Sequence, residues 1–119
     1  TDNDVLFGNV EKVPLYPGCE KVPKFEEREC FQDQIQKHIA RNFRYPEKAQ
    51  DGGIQGTVFV QFILGKDGRI RGLSSSGAAP ILKQEAERII SLLPLIKPGK
   101  INDLRVAAPF SIPIIFKLM

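Results

Sequence analysis

The sequence contains little of the material that redox, metal or membrane chemistry requires. Among its 119 residues there are only two cysteines and one histidine. The cysteines, Cys19 and Cys30, do not form a C-x-x-C motif, so neither a dithiol redox centre nor a metal site is indicated. No apolar run approaches the roughly 18 residues that a membrane-spanning helix needs, so no transmembrane helix is predicted.

The chain also lacks a block of like charges. It has 17 Lys and Arg residues against 14 Asp and Glu, a net charge of +3, and no two basic residues are adjacent. Nucleic-acid-binding domains concentrate Lys and Arg on one element, often with aromatic residues between them. Binding to nucleic acid is therefore not predicted, and the length is that of a single domain.

The two cysteines allow two interpretations. A disulfide between Cys19 and Cys30 would join an extended N-terminal segment to the first helix, adding about 2–3 kcal/mol of stability. Disulfides persist in oxidising compartments, so this pairing implies a periplasmic or extracellular location. The alternative is two free thiols; of the two interpretations, we favour the disulfide.

Hydrophobic periodicity predicts an α+β fold, in which a small antiparallel sheet packs against two helices. The sheet is expected to consist of a hairpin and the C-terminal strand, with residues 1–29 as an extended arm and residues 30–119 as the domain. The predicted elements are a helix at about 30–43, strands at 57–64 and 69–73 around a turn at 65–68, a loop at 74–79, a helix from 80 or 81 to 93, and a strand at about 104–118.

Two prolines restrict where the last predicted strand can lie. Pro109 and Pro113 are four residues apart, so in a regular strand both missing N–H groups point to the same side. Proline is confined to edges, bulges and strand ends. As an edge, this strand would have a free side that offers carbonyls but lacks two donors. Such a side resists casual self-pairing and can still accept an extended peptide.

The patterns that would indicate catalysis are incomplete. Gly72-Leu73-Ser74-Ser75-Ser76 lacks the closing glycine of a nucleophile elbow. His38 lies beside the apolar stripe of the first helix and is predicted to be a half-buried surface residue. An enzyme is therefore not predicted; a small periplasmic enzyme using Ser75, Ser76 and His38 is the alternative.

Taken in order, the motifs resemble the C-terminal domain of TonB-type energy transducers. The residues that carry the resemblance are Arg44-Tyr45-Pro46, Gly53, Gly56, Val58-Phe59-Val60-Gln61-Phe62, Asp67-Gly68-Arg69-Ile70, Ser75-Ser76-Gly77, Pro94, Pro98-Gly99 and Ile112-Pro113-Ile114-Ile115-Phe116-Lys117-Leu118. The segments around Cys19 and Cys30 resemble a subgroup with an N-terminal extension and paired cysteines. The match covers about residues 31–118. It departs from the family at Lys83, where the family often has Asp, and at Asn102-Asp103, where glycine is common.

The resemblance implies a periplasmic domain that is not an enzyme and needs no metal or cofactor. Such a domain binds the TonB box, a short segment near the N-terminus of the plug of a TonB-dependent outer-membrane transporter. It would be coupled to an ExbB–ExbD motor, driven by the proton-motive force, through an inner-membrane anchor and spacer that we expect upstream of Thr1. A TolA-like or sensor-attached interaction module of the same fold is the alternative.

We expect the box to add as a strand to the C-terminal strand, with a further contact at the Tyr-Pro pair. The predicted partner-binding residues are Arg44, Tyr45, Pro46, Ala107, Ala108, Pro109, Phe110, Ser111, Ile112, Pro113, Ile114 and Ile115. Two of these have alternative roles: Tyr45 as a cap of the first helix against the sheet, and Arg44 as a solvated surface residue. A homodimer through the edge strand is the alternative to a monomer.

Overall fold

A computed structural model describes residues 13–118 of the chain. Its elements, in order, are a 3-10 helix, Lys24–Glu26; α1, Glu27–Asn42; α2, Glu47–Asp51; β1, Gly56–Leu64; β2, Ile70–Ser76; α3, Pro80–Ser91; β3, Lys100–Ile101; β4, Leu104–Arg105; and β5, Ala108–Phe116. The predicted α+β class, with a small antiparallel sheet and packed helices, is confirmed. The first twelve residues of the predicted arm lie outside the described range.

The sheet has three antiparallel strands in the order β2-β1-β5. The central strand, β1, pairs with β5 without interruption, from Gly56 opposite Phe116 to Leu64 opposite Ala108. Successive side chains of a strand point to opposite faces, and the alternating sequence of β1 therefore buries one face. The buried side chains of this face are Val58, Val60, Phe62 and Leu64 from β1, and Ala108, Ile112, Ile114 and Phe116 from β5.

Two helices cover the buried face. Helix α3 packs over β1 and β2. Helix α1 runs along β5, since Phe31 near its start stacks on Phe110 at 5.5 Å, and Phe43 just past its end lies 5.1 Å from Phe116. The apolar stripes meet the sheet as the period-four spacing predicts: the buried residues are Phe31, Ile35 and Ile39 of α1, and Leu82, Ala86, Ile89 and Ile90 of α3.

His38 joins the two helices. The prediction of a half-buried surface histidine is wrong, because His38 is buried and its Nε2 lies 2.8 Å from the carbonyl oxygen of Ile89. A carbonyl only accepts, so Nε2 carries the proton and donates. Asn42 Nδ2 approaches the other ring nitrogen at 3.4 Å. The ring is thus a link between α1 and α3.

The C-terminal strand is shorter than predicted. The chain folds back at Asn102 and Asp103, whose φ angles are +53° and +63°, and pairs Lys100 with Arg105 in a separate two-stranded ribbon. Two consecutive positive φ angles are typical of a tight hairpin turn of type I′. This turn delays the start of β5 to Ala108.

Strand β2 is longer than predicted, and helix α2 was not predicted. The segment expected to be a loop at 74–79 begins with three strand residues, because Ser74, Ser75 and Ser76 pair with β1. Gly72, at φ +61°, provides the bulge that shifts the register of β2 before them. The five-residue helix α2 is too short to show a hydrophobic period.

The N-terminal arm is attached at two points. Cys19 and Cys30 form a disulfide with a Cα–Cα distance of 6.0 Å. Leu15 exchanges both backbone hydrogen bonds with Lys97, at 2.9 and 3.1 Å. Tyr16 and Cys19 are buried between these points, so the arm from Val13 onward adds side chains to the core.

The turn between β1 and β2 is a docking point for the loop after α3. Gly68 adopts φ +83°, and a Cβ atom there would lie 2.6 Å from the carbonyl oxygen of Ile96. Ile96 in turn donates its N–H to Gly68 at 3.1 Å. The carboxylate of Asp67 accepts from the backbone N–H of Arg69 and from Arg71, and these groups, the Arg69 N–H most, hold the pKa of Asp67 below its usual range.

We predict that Gly68→Ala destabilises the domain far more than Gly53→Ala. Both glycines have a positive φ, but a Cβ at Gly53 meets nothing within 4 Å. Gly53→Ala should therefore lose only the roughly 1–2 kcal/mol of an L residue in this conformation, and Gly68→Ala about 3 kcal/mol or more. Urea unfolding followed by circular dichroism measures both. Equal losses would show that the Ile96 contact does not constrain the turn.

We predict that replacing both cysteines by alanine lowers the free energy of unfolding by about 2–3 kcal/mol, because the unfolded chain regains the freedom of the closed loop. Reduction of the unmodified protein should lower the urea midpoint to a similar extent, which is the control. The intact mass of the denatured, unreduced protein should be two hydrogens below that of the dithiol. Full alkylation without reductant would contradict the disulfide.

Candidate partner-binding site

Strand β5 is an edge strand. It pairs with β1 on one side, and no residue between 13 and 118 pairs with it on the other. We call this unpaired side the free edge. Strand β2 is the opposite edge of the sheet, and α3 packs over β2 and β1.

The backbone groups that point out of the free edge follow from the register. Gly65 donates its N–H to the carbonyl of Arg69 at 2.8 Å, so the odd-numbered residues of β1 direct their backbone groups to β2, and the even-numbered ones to β5. Even residues of β1 pair with even residues of β5. The odd-numbered residues of β5, from Pro109 to Ile115, therefore direct their backbone groups away from β1.

The free edge is rich in acceptors and poor in donors. Ser111 and Ile115 each present an N–H and a carbonyl, whereas Pro109 and Pro113 present a carbonyl alone, because proline has no N–H. The two prolines thus stand where their missing donors do not weaken the ladder with β1. Their placement at an edge agrees with the sequence-based expectation.

A groove of about 420 Å³ runs between the free edge and α1. Its lining residues are Phe31, Gln32, Asp33, Ile35, Gln36, Phe110, Ser111, Ile112 and Pro113. The aromatic rings at its floor are stacked, with Phe110 5.5 Å from Phe31 and 5.4 Å from Phe62. An extended segment beside β5 would direct every second side chain into this groove.

The groove has an apolar floor and a polar wall. Gln32, Asp33 and Gln36 were not among the predicted site residues, because polar residues on the outer side of a helix are usually only solvated. Their one signal in the sequence is their position on the same helix as the apolar stripe at Phe31 and Ile35. Only the direction of α1 along β5 brings them to the free edge.

The opposite face of the sheet is partly apolar at the same edge. Pro113 lies opposite Phe59, Pro109 opposite Ile63, and Ile115 opposite Thr57. Phe59 and Ile63 are each 44% exposed, and Ile115 is 66% exposed. Side chains of an added strand that point away from the groove would extend this exposed row.

The predicted Arg44-Tyr45-Pro46 contact lies outside the groove. The ring of Tyr45 packs edge-on against Phe116, at 5.7 Å between ring centres, and its hydroxyl donates to the carbonyl of Ile54. Tyr45 is thus built into the packing at the end of β5, as in the alternative of a cap against the sheet. Arg44 is exposed, and its backbone N–H donates to Glu85 at 3.0 Å.

The remaining predicted site residues fall into two sets, according to which face of the sheet their side chains occupy. The side chains of Ala108, Ile112 and Ile114 are buried toward the helices, and Ala107 precedes the strand. Pro109, Ser111, Pro113 and Ile115 are exposed, and their backbone groups form the free edge. The strand therefore has one set of residues that holds it in the fold and another that faces outward.

Two of the three residues considered for catalysis, His38 and Ser75, make side-chain hydrogen bonds within the fold. His38 is engaged by Ile89, and the Ser75 hydroxyl donates to Glu87. Within residues 13–118 there is no group of three or more His, Cys, Asp or Glu side chains placed to hold a metal ion. In the same range no helix has both the length and the apolar character needed to span a bilayer.

Comparisons with known proteins identify one family. The family model of the Gram-negative bacterial TonB protein C-terminal region matches residues 41–118. The solution structure of Helicobacter pylori TonB-CTD, residues 179–285, has a TM-score of 0.62 at 28% identity, covering 84% of this chain and 87% of that one. A shorter form, residues 194–285, has a TM-score of 0.55 at 30% identity, covering 73% and 92%. No curated protein matches the chain.

We predict that Tyr45→Phe lowers the free energy of unfolding by about 1 kcal/mol, because the carbonyl of Ile54 loses its donor while the ring packing remains. Arg44→Ala should change stability by less than about 0.5 kcal/mol, since the bond from its backbone N–H to Glu85 survives. Urea unfolding measures both. A Tyr45→Phe variant as stable as the original would show that the hydroxyl does not stabilise the fold, and Tyr45 would again be a candidate for contact with the partner.

Proposed function

Because the chain belongs to the family of Gram-negative bacterial TonB C-terminal domains, which are periplasmic, we propose that it is the receptor-binding domain of a TonB-type energy transducer. In this role it binds the TonB box of an outer-membrane transporter by strand addition to the free edge of β5. It then transmits energy from the proton-motive force, supplied by an ExbB–ExbD motor through the upstream part of the transducer.

The observation that carries the proposal is the free edge with its adjoining groove. An extended peptide can add to an exposed edge, with main-chain hydrogen bonds giving affinity and side-chain pockets giving specificity. The free edge supplies the main-chain hydrogen bonds, at Ser111 and Ile115 above all. The groove between α1 and β5 supplies the side-chain pockets.

The expected affinity is weak to moderate. A net hydrogen bond contributes about 1 kcal/mol, and association costs an estimated 4 kcal/mol or more before any contact is counted. A handful of backbone bonds, together with side chains in a shallow groove, exceeds that cost by a small margin. Weak binding suits a transducer that must release one transporter before engaging another.

Strand addition also suits the transmission of a pull. A force applied along the strand direction loads all the bonds of the added strand together, so they must break at once rather than one by one. On the protein's side, β5 is itself held by nine consecutive residue pairs with β1. The bound segment is therefore expected to slip before the domain opens.

We predict that a synthetic peptide with the TonB box of an outer-membrane transporter from the same genome shifts the backbone amide signals of Ser111 and Ile115. The same titration should shift Gln32 and Gln36 on the groove wall and leave β2 unchanged. Two-dimensional amide NMR measures this. The controls are two forms of the peptide with a proline at one or the other of two neighbouring central residues. One of these residues faces β5, where proline cannot donate, so that form should bind more weakly. Saturating peptide that shifts β2 instead of β5 would contradict the proposed site.

A further inference from the structure

We infer that Pro109 and Pro113 select the occupant of the free edge: it accepts an extended segment of another protein and disfavours a second copy of this chain. The inference rests on the proposed function, since it concerns the same edge. It follows from which backbone groups the two prolines remove and from the symmetry that a pair of identical edges must obey.

A foreign strand can make most of the bonds that the free edge allows. Paired with residues 109–115, it forms two hydrogen bonds at Ser111, two at Ile115 and one at each proline, six in all. Four of these six are donated by the partner to carbonyls of β5, and only two are donated by β5. The partner must therefore carry N–H groups at all the positions that face β5, which excludes proline there.

A second copy of the chain makes fewer bonds. Two identical edges related by a two-fold axis pair antiparallel. In the register that places Ser111 opposite Pro113, every pair contains one proline and forms one bond, which gives four bonds over residues 109–115. With Pro113 opposite itself, that pair forms none, and the Ser111–Ile115 pairs again give four. A proline-free edge of this length would form eight.

The prolines achieve this without weakening the strand that carries them. Both lie in non-hydrogen-bonded pairs with β1, opposite Ile63 and Phe59, where facing side chains approach most closely. Their rings extend the apolar row on the exposed face. The two missing donors therefore reduce the number of hydrogen bonds only for a strand that binds at the free edge.

The test restores the two donors. We expect the double variant Pro109→Val and Pro113→Val to self-associate at least tenfold more tightly than the original in sedimentation velocity. Valine keeps an apolar side chain beside β1 and favours strand conformation. The matched control is Ser111→Val, which adds an apolar strand former on the same exposed face but no new donor, and should self-associate like the original.

Side-chain and backbone effects are separated by the outcomes. Self-association of Ser111→Val equal to that of the double variant would overturn the inference, since added apolar surface would then explain it. A folded double variant as monomeric as the original would also overturn it. Should the double variant not fold, Pro113→Val alone is the second variant, with a smaller increase expected because one donor per chain is restored.

Peptide binding gives an independent readout. Each restored donor should tighten binding of the TonB-box peptide about fivefold, the factor that a net hydrogen bond of about 1 kcal/mol corresponds to. N-methylation of the peptide should weaken binding at every residue that faces β5, those opposite the prolines included. If the peptide does not bind the original protein at all, the proposed function fails; if it binds and the proline variants bind no more tightly, this inference fails alone.

Discussion

The antiparallel ladder between β1 and β5 is the interaction on which the site depends. It fixes β5 along one side only and assigns its even-numbered backbone groups to the fold and its odd-numbered ones to the free edge. The buried side chains of Ile112, Ile114 and Phe116 secure the same strand against the helices. Both of these attachments lie away from the free edge.

Helix α1 forms the wall of the groove beside the free edge. Its stacking of Phe31 on Phe110 and the contact of Phe43 with Phe116 align it with β5. The bond from His38 to Ile89 fastens it to α3, which packs on β1 and β2. The wall and the edge are therefore parts of one packed unit.

Much of this fold could be predicted from the sequence, and the reasons are local. The alternation in β1, the glycines of the hairpin turn and the period-four stripes of α1 and α3 are each visible within about a dozen residues. The two prolines even predicted that the last strand lies at an edge, because a missing N–H is a property of the residue itself. The disulfide between Cys19 and Cys30 was likewise preferred from the sequence alone.

The rest depended on how distant segments meet. The turn at Asn102 and Asp103 was hidden because neither residue is the glycine that positive φ angles usually require, and α2 is too short to show a period. His38 is buried only because Ile89 offers it a carbonyl from another helix. The groove could not be predicted because Gln32 and Gln36 come to line it only through the direction of α1 along β5.

The disulfide has a consequence for a domain that is pulled. The eleven-residue separation between Cys19 and Cys30 could extend to about 36 Å as an open chain, yet the crosslink holds the two Cα atoms 6.0 Å apart. In the proposed role, tension that reaches Cys19 past the Leu15–Lys97 pair passes through the crosslink to the first turn of α1, beside the groove. The chain between the two cysteines cannot extend, so a pull on the arm would not be taken up by that segment.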